Sequence, residues 1–285
     1  MSRPIVILGA RGMLGTEVVS QLRAVGRRHV AYDLPEWDIT RADDLAAAVP
    51  HGGVVVNCAA YTNVDGAERE SDLAHEVNGR AVGRLGDLAR ERDAAVIHIS
   101  TDFVFDGRLD RPYVETDVPN PLNVYGRSKL AGEQALQASG CTHCIVRVQW
   151  TYGRAGRNFV TKILDLARTK DTLRVVDDQV GSPTSTRQVA EVLRAMIDAP
   201  AFPTGLFHMA AAGYAGRHEV ARFIVERAGL GVRIEPCGSE AFATPAVRPK
   251  NSRFDCTRLR QWLGRPIRKW QPELAQFVEG LCNYS

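Results

Sequence analysis

The feature that most constrains this chain is Gly9-Ala10-Arg11-Gly12-Met13-Leu14-Gly15, set between the apolar run Ile5 to Leu8 and a stretch of helical spacing, Met13 to Val25. A short β-branched run reads as a buried strand, and apolar residues recurring every three or four positions read as a helix. Glycines at such a strand-to-helix turn permit a tight reversal, a close approach of backbone to ligand, and close helix–strand packing. The helix N-terminus then offers free N–H groups and the positive end of its dipole, which suits a pyrophosphate. Asp33 follows the weaker run His29 to Tyr32, where a carboxylate can accept from ribose hydroxyls. A dinucleotide is the expected ligand.

The same texture continues. The runs Val54 to Val56, Ala94 to Ile99 and Cys144 to Val148 alternate with helical stretches Asp43 to Val49, Leu73 to Arg92 and Leu122 to Ala138. Near-continuous apolar strands separated by helices imply a parallel sheet covered on both faces. The expected fold is therefore α/β, a Rossmann-type doubly wound parallel sheet. Residues 1–150 are expected to form the nucleotide-binding core. Residues 151–285 are expected to form mainly a smaller C-terminal substrate-binding lobe, interleaved with the core. In that half, strand-like Leu173 to Val176 and Leu206 to Met209 occur with helices at Arg187 to Ile197 and Arg217 to Ala228. The segments Gly181-Ser182-Pro183 and Ala243 to Pro249 intervene, without a repeat or a clean linker.

Composition narrows the classes. The 285 residues carry 36 basic and 33 acidic side chains, a net charge of +3, with 45% hydrophobic residues. So small a surplus, with no clustered basic face, argues against nucleic acid and membrane partners. Only five apolar residues precede Gly9, too few for a signal peptide, and no run could span a bilayer, so a cytoplasmic location is expected. Among the six cysteines only Cys141 and Cys144 are closely spaced. A zinc site would want a second such pair, so free thiols and no metal are expected.

Tyr125 and Lys129 lie four residues apart in a helical stretch, which puts a phenol and an ammonium on one side. A nearby cation is expected to lower the phenol from its usual pKa of about 10 and tune it as a general acid. Ser100-Thr101-Asp102 ends the fourth strand, where a hydroxyl can hold a substrate carbonyl for Tyr125. Asn57-Cys58-Ala59-Ala60-Tyr61-Thr62 ends the third, with small residues that let a cofactor lie against the backbone.

The G-x-x-G-x-x-G spacing resembles the extended, sugar-nucleotide branch of the short-chain dehydrogenase/reductases. Longer motifs narrow the resemblance. They are Asn57 to Asp65 with Glu68, Ser100 to Gly107, Asn120 to Glu133, Asn158-Phe159-Val160, Val175 to Thr184 and Arg248 to Ser252. Together, across about residues 4 to 280, they are similar to the dTDP-4-dehydrorhamnose reductases. That resemblance implies reduction of the C4 ketone of dTDP-4-dehydro-6-deoxy-L-mannose to dTDP-L-rhamnose, with Thr101, Tyr125 and Lys129 as the catalytic set. It implies a cofactor site of Gly9, Arg11, Gly12, Met13, Leu14, Gly15, Asp33, Asp38, Ile39, Ala59, Ala60 and Tyr61, shared with Tyr125 and Lys129. Asp102, Phe103, Trp150, Arg248 and Asn251 would face the sugar nucleotide.

The cofactor is NADPH or NADH: Asp33 favours NADH, whereas Arg11 could receive a 2′-phosphate. The expected partner is a small dTDP-sugar, and a homodimer is compatible with the resemblance. Two departures bear on the sugar. Val148 and Gln149 stand where the family usually has a small hydroxyl pair, and Phe103 stands where a tyrosine is common. Two other functions remain open. One is 4-ketoreduction of a different dTDP-deoxysugar. The other is a non-catalytic NADP-binding subunit like the regulatory subunit of methionine adenosyltransferase.

Overall fold

The computed structural model describes residues 3–282. Its main sheet has six strands: β1 (Ile5–Leu8), β2 (Val30–Tyr32), β3 (Val54–Asn57), β4 (Ala95–Thr101), β5 (Thr142–Val148) and β6 (Gly205–Met209). Their spatial order is β2-β1-β3-β4-β5-β6, and every pairing is parallel. The chain moves to one side of β1 to make β2 and to the other to make β3. Loops leaving β1 and β3 diverge there, and such a switch point is where open parallel sheets bind ligands.

Alternate strand residues feed two cores. On one face Ile5, Ile7, Val54, Val56, Ile97 and Val146 pack against helices α1 (Met13–Ala24) and Thr186–Asp198. On the other, Val6, Leu8, Val55, Val96 and Ile145 meet helices α2 (Ala81–Glu91) and α3 (Val124–Ala138). The expected strands and helices of the first half all form. The stretch expected as one helix from Leu73 to Arg92 is interrupted by a π-turn at Glu76–Arg80. This widened turn carries the buried Asn78, and such bulges recur at functional sites.

The second half divides its loyalties. β6 joins the main sheet beside β5, and Thr186–Asp198 covers α1, so both belong to the layers of the main sheet. The remaining lobe has its own core, built from the helices Phe159–Ala167, Arg217–Arg227 and Trp270–Cys282 over a parallel pair of strands, Thr172–Val176 and Arg233–Cys237. Among the described residues no helix is long and apolar enough to cross a membrane, no cysteine is bridged, and no group of His, Cys, Asp or Glu is placed to hold a metal.

Helix α3 carries Tyr125 and Lys129, and its seat on the sheet is unusually polar. Glu133, 2% exposed, takes two hydrogen bonds from Arg147 of β5, at 2.8 Å from Nε and 2.6 Å from Nη2, and a third from Ser100 of β4. At the preceding residue the helix comes so near the π-turn that a Cβ on Gly132 would lie 2.0 Å from the Asn78 carbonyl oxygen. A buried carboxylate–guanidinium pair is costly to break singly, because the surviving charge stays desolvated. Glu133→Ala is therefore expected to lose about 3–5 kcal/mol in urea unfolding. A loss below about 1 kcal/mol, the range of exposed pairs, would show that this contact does not anchor the helix.

Candidate active site

The turn after β1 is shaped for a close-lying ligand. Gly9 has φ of +73°, and a Cβ there would sit 2.5 Å from the backbone nitrogen of Ala59 on the loop after β3. A Cβ on Gly15 would sit 2.0 Å from the Gly9 carbonyl oxygen. Only glycines let the two loops and the start of α1 converge. Gly12 caps α1 without a side-chain hydrogen bond, so no side chain competes for the first-turn N–H groups beside Met13 and Leu14. These features fit the diphosphate of a dinucleotide.

The ribose end is acidic. Asp33 accepts from the backbone N–H groups of Arg11 (2.6 Å) and Leu34 (2.7 Å), which fixes its carboxylate at the mouth of the turn. The Arg11 guanidinium donates to the Leu34 carbonyl and pairs with Glu36 at 2.8 Å. Arg11, Asp33, Glu36 and Trp37 line a groove of about 720 Å³ beside α1. Asp38 accepts from Thr40 through Oδ1, and the Ile39 side chain is buried in the core, which leaves only its backbone for a ligand. Ala59 and Ala60 are partly exposed on the β3 loop. The Asn78 amide holds the backbone of Tyr61 through both its N–H and its C=O, while the Tyr61 hydroxyl donates to Glu70.

The chemical groups meet at the carboxyl end of β4. Thr101 ends that strand, and its hydroxyl donates to Asp102 at 3.1 Å. Tyr125, in the first turn of α3, packs edge-on against Phe103 at 5.5 Å and has the Thr101 hydroxyl beside its phenol. Lys129 is 2% exposed and donates to the Ile99 carbonyl at 2.7 Å. One expectation is corrected here. Burial pushes the Tyr125 phenol up to about 12, opposed by Thr101 and reinforced by Asp102, and Lys129 does not lower it. The ammonium is turned toward the strand backbone. Burial in turn lowers Lys129 to about 8.

The substrate side contains several half-satisfied groups. Asp102 is 3% exposed, has no hydrogen-bond partner for Oδ2, and is raised to about 6 by burial. Gln149, at the end of β5, accepts from the Ser182 N–H at 3.1 Å and leaves Nε2 buried without a partner. Trp150 follows with φ of +45°, a strained conformation for a bulky residue. Its indole lies against Gly181 and under the Arg217 guanidinium, which is 3.6 Å from the ring centroid. The Arg217 backbone N–H donates to the Gln179 carbonyl, but its guanidinium makes no ion pair or hydrogen bond with the described residues and feels Asp102 and Arg248 electrostatically.

Arg248 and Asn251 do not reach toward that group freely. Arg248 is engaged with Asp65 at 2.7 Å and with the Ala246 carbonyl. Asn251 gives its amide hydrogens to the carbonyls of Leu109 and Arg111, and its oxygen accepts from Arg253. It organises its own loops, so the expectation that its side chain faces substrate is corrected. Sequence reasoning missed Arg217. Its signal was a cation in the first turn of a helix, where the dipole disfavours positive charge.

The switch-point cradle, the buried lysine and the paired hydroxyls define a Rossmann-type, NAD(P)-dependent oxidoreductase. A family model described as the RmlD substrate binding domain matches residues 2–282, and the chain belongs to that family. It is 42% identical over 287 residues to a dTDP-4-dehydrorhamnose reductase of Mycolicibacterium smegmatis, covering 99% of this chain and 87% of that one. It is 38% identical over 275 residues to a dTDP-4-keto-6-deoxy-D-glucose reductase of Streptomyces niveus, covering 95% of each. The dTDP-4-dehydrorhamnose reductase of Bacillus anthracis in complex with NADP superposes with a TM-score of 0.91 at 32% identity, over 98% of this chain and 100% of that one.

Gly9→Ala tests the cradle. The added methyl meets Ala59 in a backbone region that L-residues avoid, so NAD(P)H affinity measured by calorimetry should fall at least about tenfold, equivalent to about 1.4 kcal/mol. Unchanged affinity would move the cofactor elsewhere.

Proposed function

We propose that the protein reduces the C4 ketone of dTDP-4-dehydro-6-deoxy-L-mannose to dTDP-L-rhamnose, with NADH preferred over NADPH. The observation that carries this reading is the convergence of the Thr101 and Tyr125 hydroxyls on the sheet edge that also holds the glycine cradle. Bound NAD(P)H supplies the hydride to the ketone carbon. Tyr125 donates its proton to the ketone oxygen as negative charge develops there, and Thr101 holds that oxygen in line. A phenol raised to about 12 stays protonated through neutral pH, which keeps the acid loaded for reduction. The Lys129 ammonium, fixed by the Ile99 carbonyl, would hold the nicotinamide ribose of bound NAD(P)H.

Trp150, Asp102 and Arg217 serve the sugar nucleotide. An arginine stacked on an indole and lacking an acidic partner is ready to receive an anionic group such as a diphosphate. Coenzyme preference follows from charge: Asp33 and Glu36 together outnumber Arg11, so a 2′-phosphate meets net negative potential. A second reading is supported by Gln149, whose unpaired buried donor could select a different sugar hydroxyl. That reading is 4-ketoreduction of another dTDP-deoxysugar, the class named for the Streptomyces niveus relative.

The test follows NADH and NADPH absorbance with the keto-sugar made in place from dTDP-glucose by a dehydratase and an epimerase. We expect faster NADH oxidation, and a fall of about 10²–10⁴ in kcat for Tyr125→Phe. Absence of turnover by protein that binds the coenzyme would overturn the reading, and NMR of the product would separate rhamnose from another sugar. The pH dependence has a defined sign. Lys129 keeps its charge below its depressed pKa of about 8, so kcat/KM should be level there and fall as pH rises through 8. In Lys129→Met that break should vanish, leaving a low, level profile.

A further inference from the structure

Behind Lys129 lies a buried polar chain that catalysis as described does not use. His98 on β4 and Asn57 at the end of β3 are both fully buried. The Asn57 Oδ1 accepts from the backbone N–H of Ala59 at 3.1 Å, which fixes the orientation of the amide. Its Nδ2 is then the atom 3.1 Å from Nδ1 of His98. An amide N–H₂ can only donate, so Nδ1 must be the bare, accepting nitrogen. The imidazole proton is forced onto Nε2, and Nε2 lies 3.4 Å from Nζ of Lys129. Burial pushes His98 well below the ordinary histidine range, with Lys129 adding to the shift, so the ring stays neutral.

Two donors therefore face each other whenever Lys129 is charged. With the opposite tautomer, Nε2 would instead accept from the ammonium and stabilise it. We propose that Asn57 and His98 are positioning residues that act through Lys129, using a locked histidine tautomer to weaken its hold on its proton. The other groups around the ammonium work in the opposite direction: Cys58 from the end of β3 and Glu133 from its own helix both favour the charge. Arg147 of β5 already ties up Glu133, and Tyr125 lies one turn back on the same helix. His98 is thus the neighbour whose hydrogen-bond polarity opposes the charge. The lock begins at Ala59, whose backbone also meets the Gly9 turn, so the cofactor loop and the lysine share one amide.

The proposal rests on the reductase reading for its catalytic consequence, but its physical content is measurable without turnover. Long-range ¹H–¹⁵N spectra of histidine-labelled protein should show His98 protonated at Nε2 alone between about pH 6 and 9, a range that brackets the ordinary histidine pKa. The Lys129 ¹³Cε resonance should titrate near 8. In His98→Leu, which removes the opposing N–H, and in Asn57→Ala, which frees the ring to reverse its tautomer, that midpoint should rise by about one pH unit, a tenfold change in proton affinity. The break in kcat/KM should rise with it. A proton on Nδ1, or a midpoint that stays near 8 in both variants, would overturn the proposal. Lower kcat with an unmoved break would reduce both residues to packing. If either variant fails to fold, the tautomer of the unaltered protein still decides. Failure of the keto-sugar assay leaves both spectroscopic readouts standing, so the two readings fail separately.

Discussion

The buried pair between Glu133 and Arg147 is the contact on which the active site depends. It joins α3 to β5, and through Ser100 to β4, at the depth where Lys129 enters the sheet. A helix held only by apolar side chains can slide by a fraction of a turn at little cost. Two directed hydrogen bonds from one guanidinium restrict that movement. Gly126 and Gly132 let the helix sink close enough for these bonds, since a Cβ on Gly126 would lie 2.2 Å from the Phe103 carbonyl oxygen. Tyr125 and Thr101 are brought together by the same seating.

The rest of the site is a consequence of strand order. Because β1 and β3 are neighbours with connections leaving in opposite senses, the Gly9 turn and the Ala59 loop meet at one crevice. β4 and β5 follow in sequence and in space, so Thr101, Asp102, Gln149 and Trp150 arrive on the same edge. The second lobe then lays Arg217 over Trp150. The groups thus reach the site from the ends of several strands, from α3 and from the second lobe, and the sheet with the helices packed on it sets their spacing.

Much of this was legible from local pattern. The glycine turn, the apolar strands and the Tyr125–Lys129 pair are written within a few residues of one another, where periodicity and backbone chemistry decide the outcome. What escaped depends on partners distant in sequence. Residue spacing placed Lys129 on the side of Tyr125, yet could not show that the Ile99 carbonyl, 30 positions away, takes its hydrogen bond. Asn251 carries a side chain suited to substrate, but carbonyls about 140 residues upstream claim it. The strand Arg233–Cys237 gave no signal because its burial is patchy and Pro236 interrupts it. The helix Trp270–Cys282 was equally missed, although Trp270, Leu274 and Val278 repeat every fourth residue.

In the proposed reaction these groups deliver a proton to a ketone oxygen while the carbon beneath it takes hydride. The most direct measurement uses coenzyme carrying deuterium at C4 of the nicotinamide, followed by NMR of the sugar product. One deuterium is expected, at C4 of the deoxysugar and on a single face, with none washed out to solvent. Deuterium at another carbon, on both faces, or absent from the product would contradict that reaction.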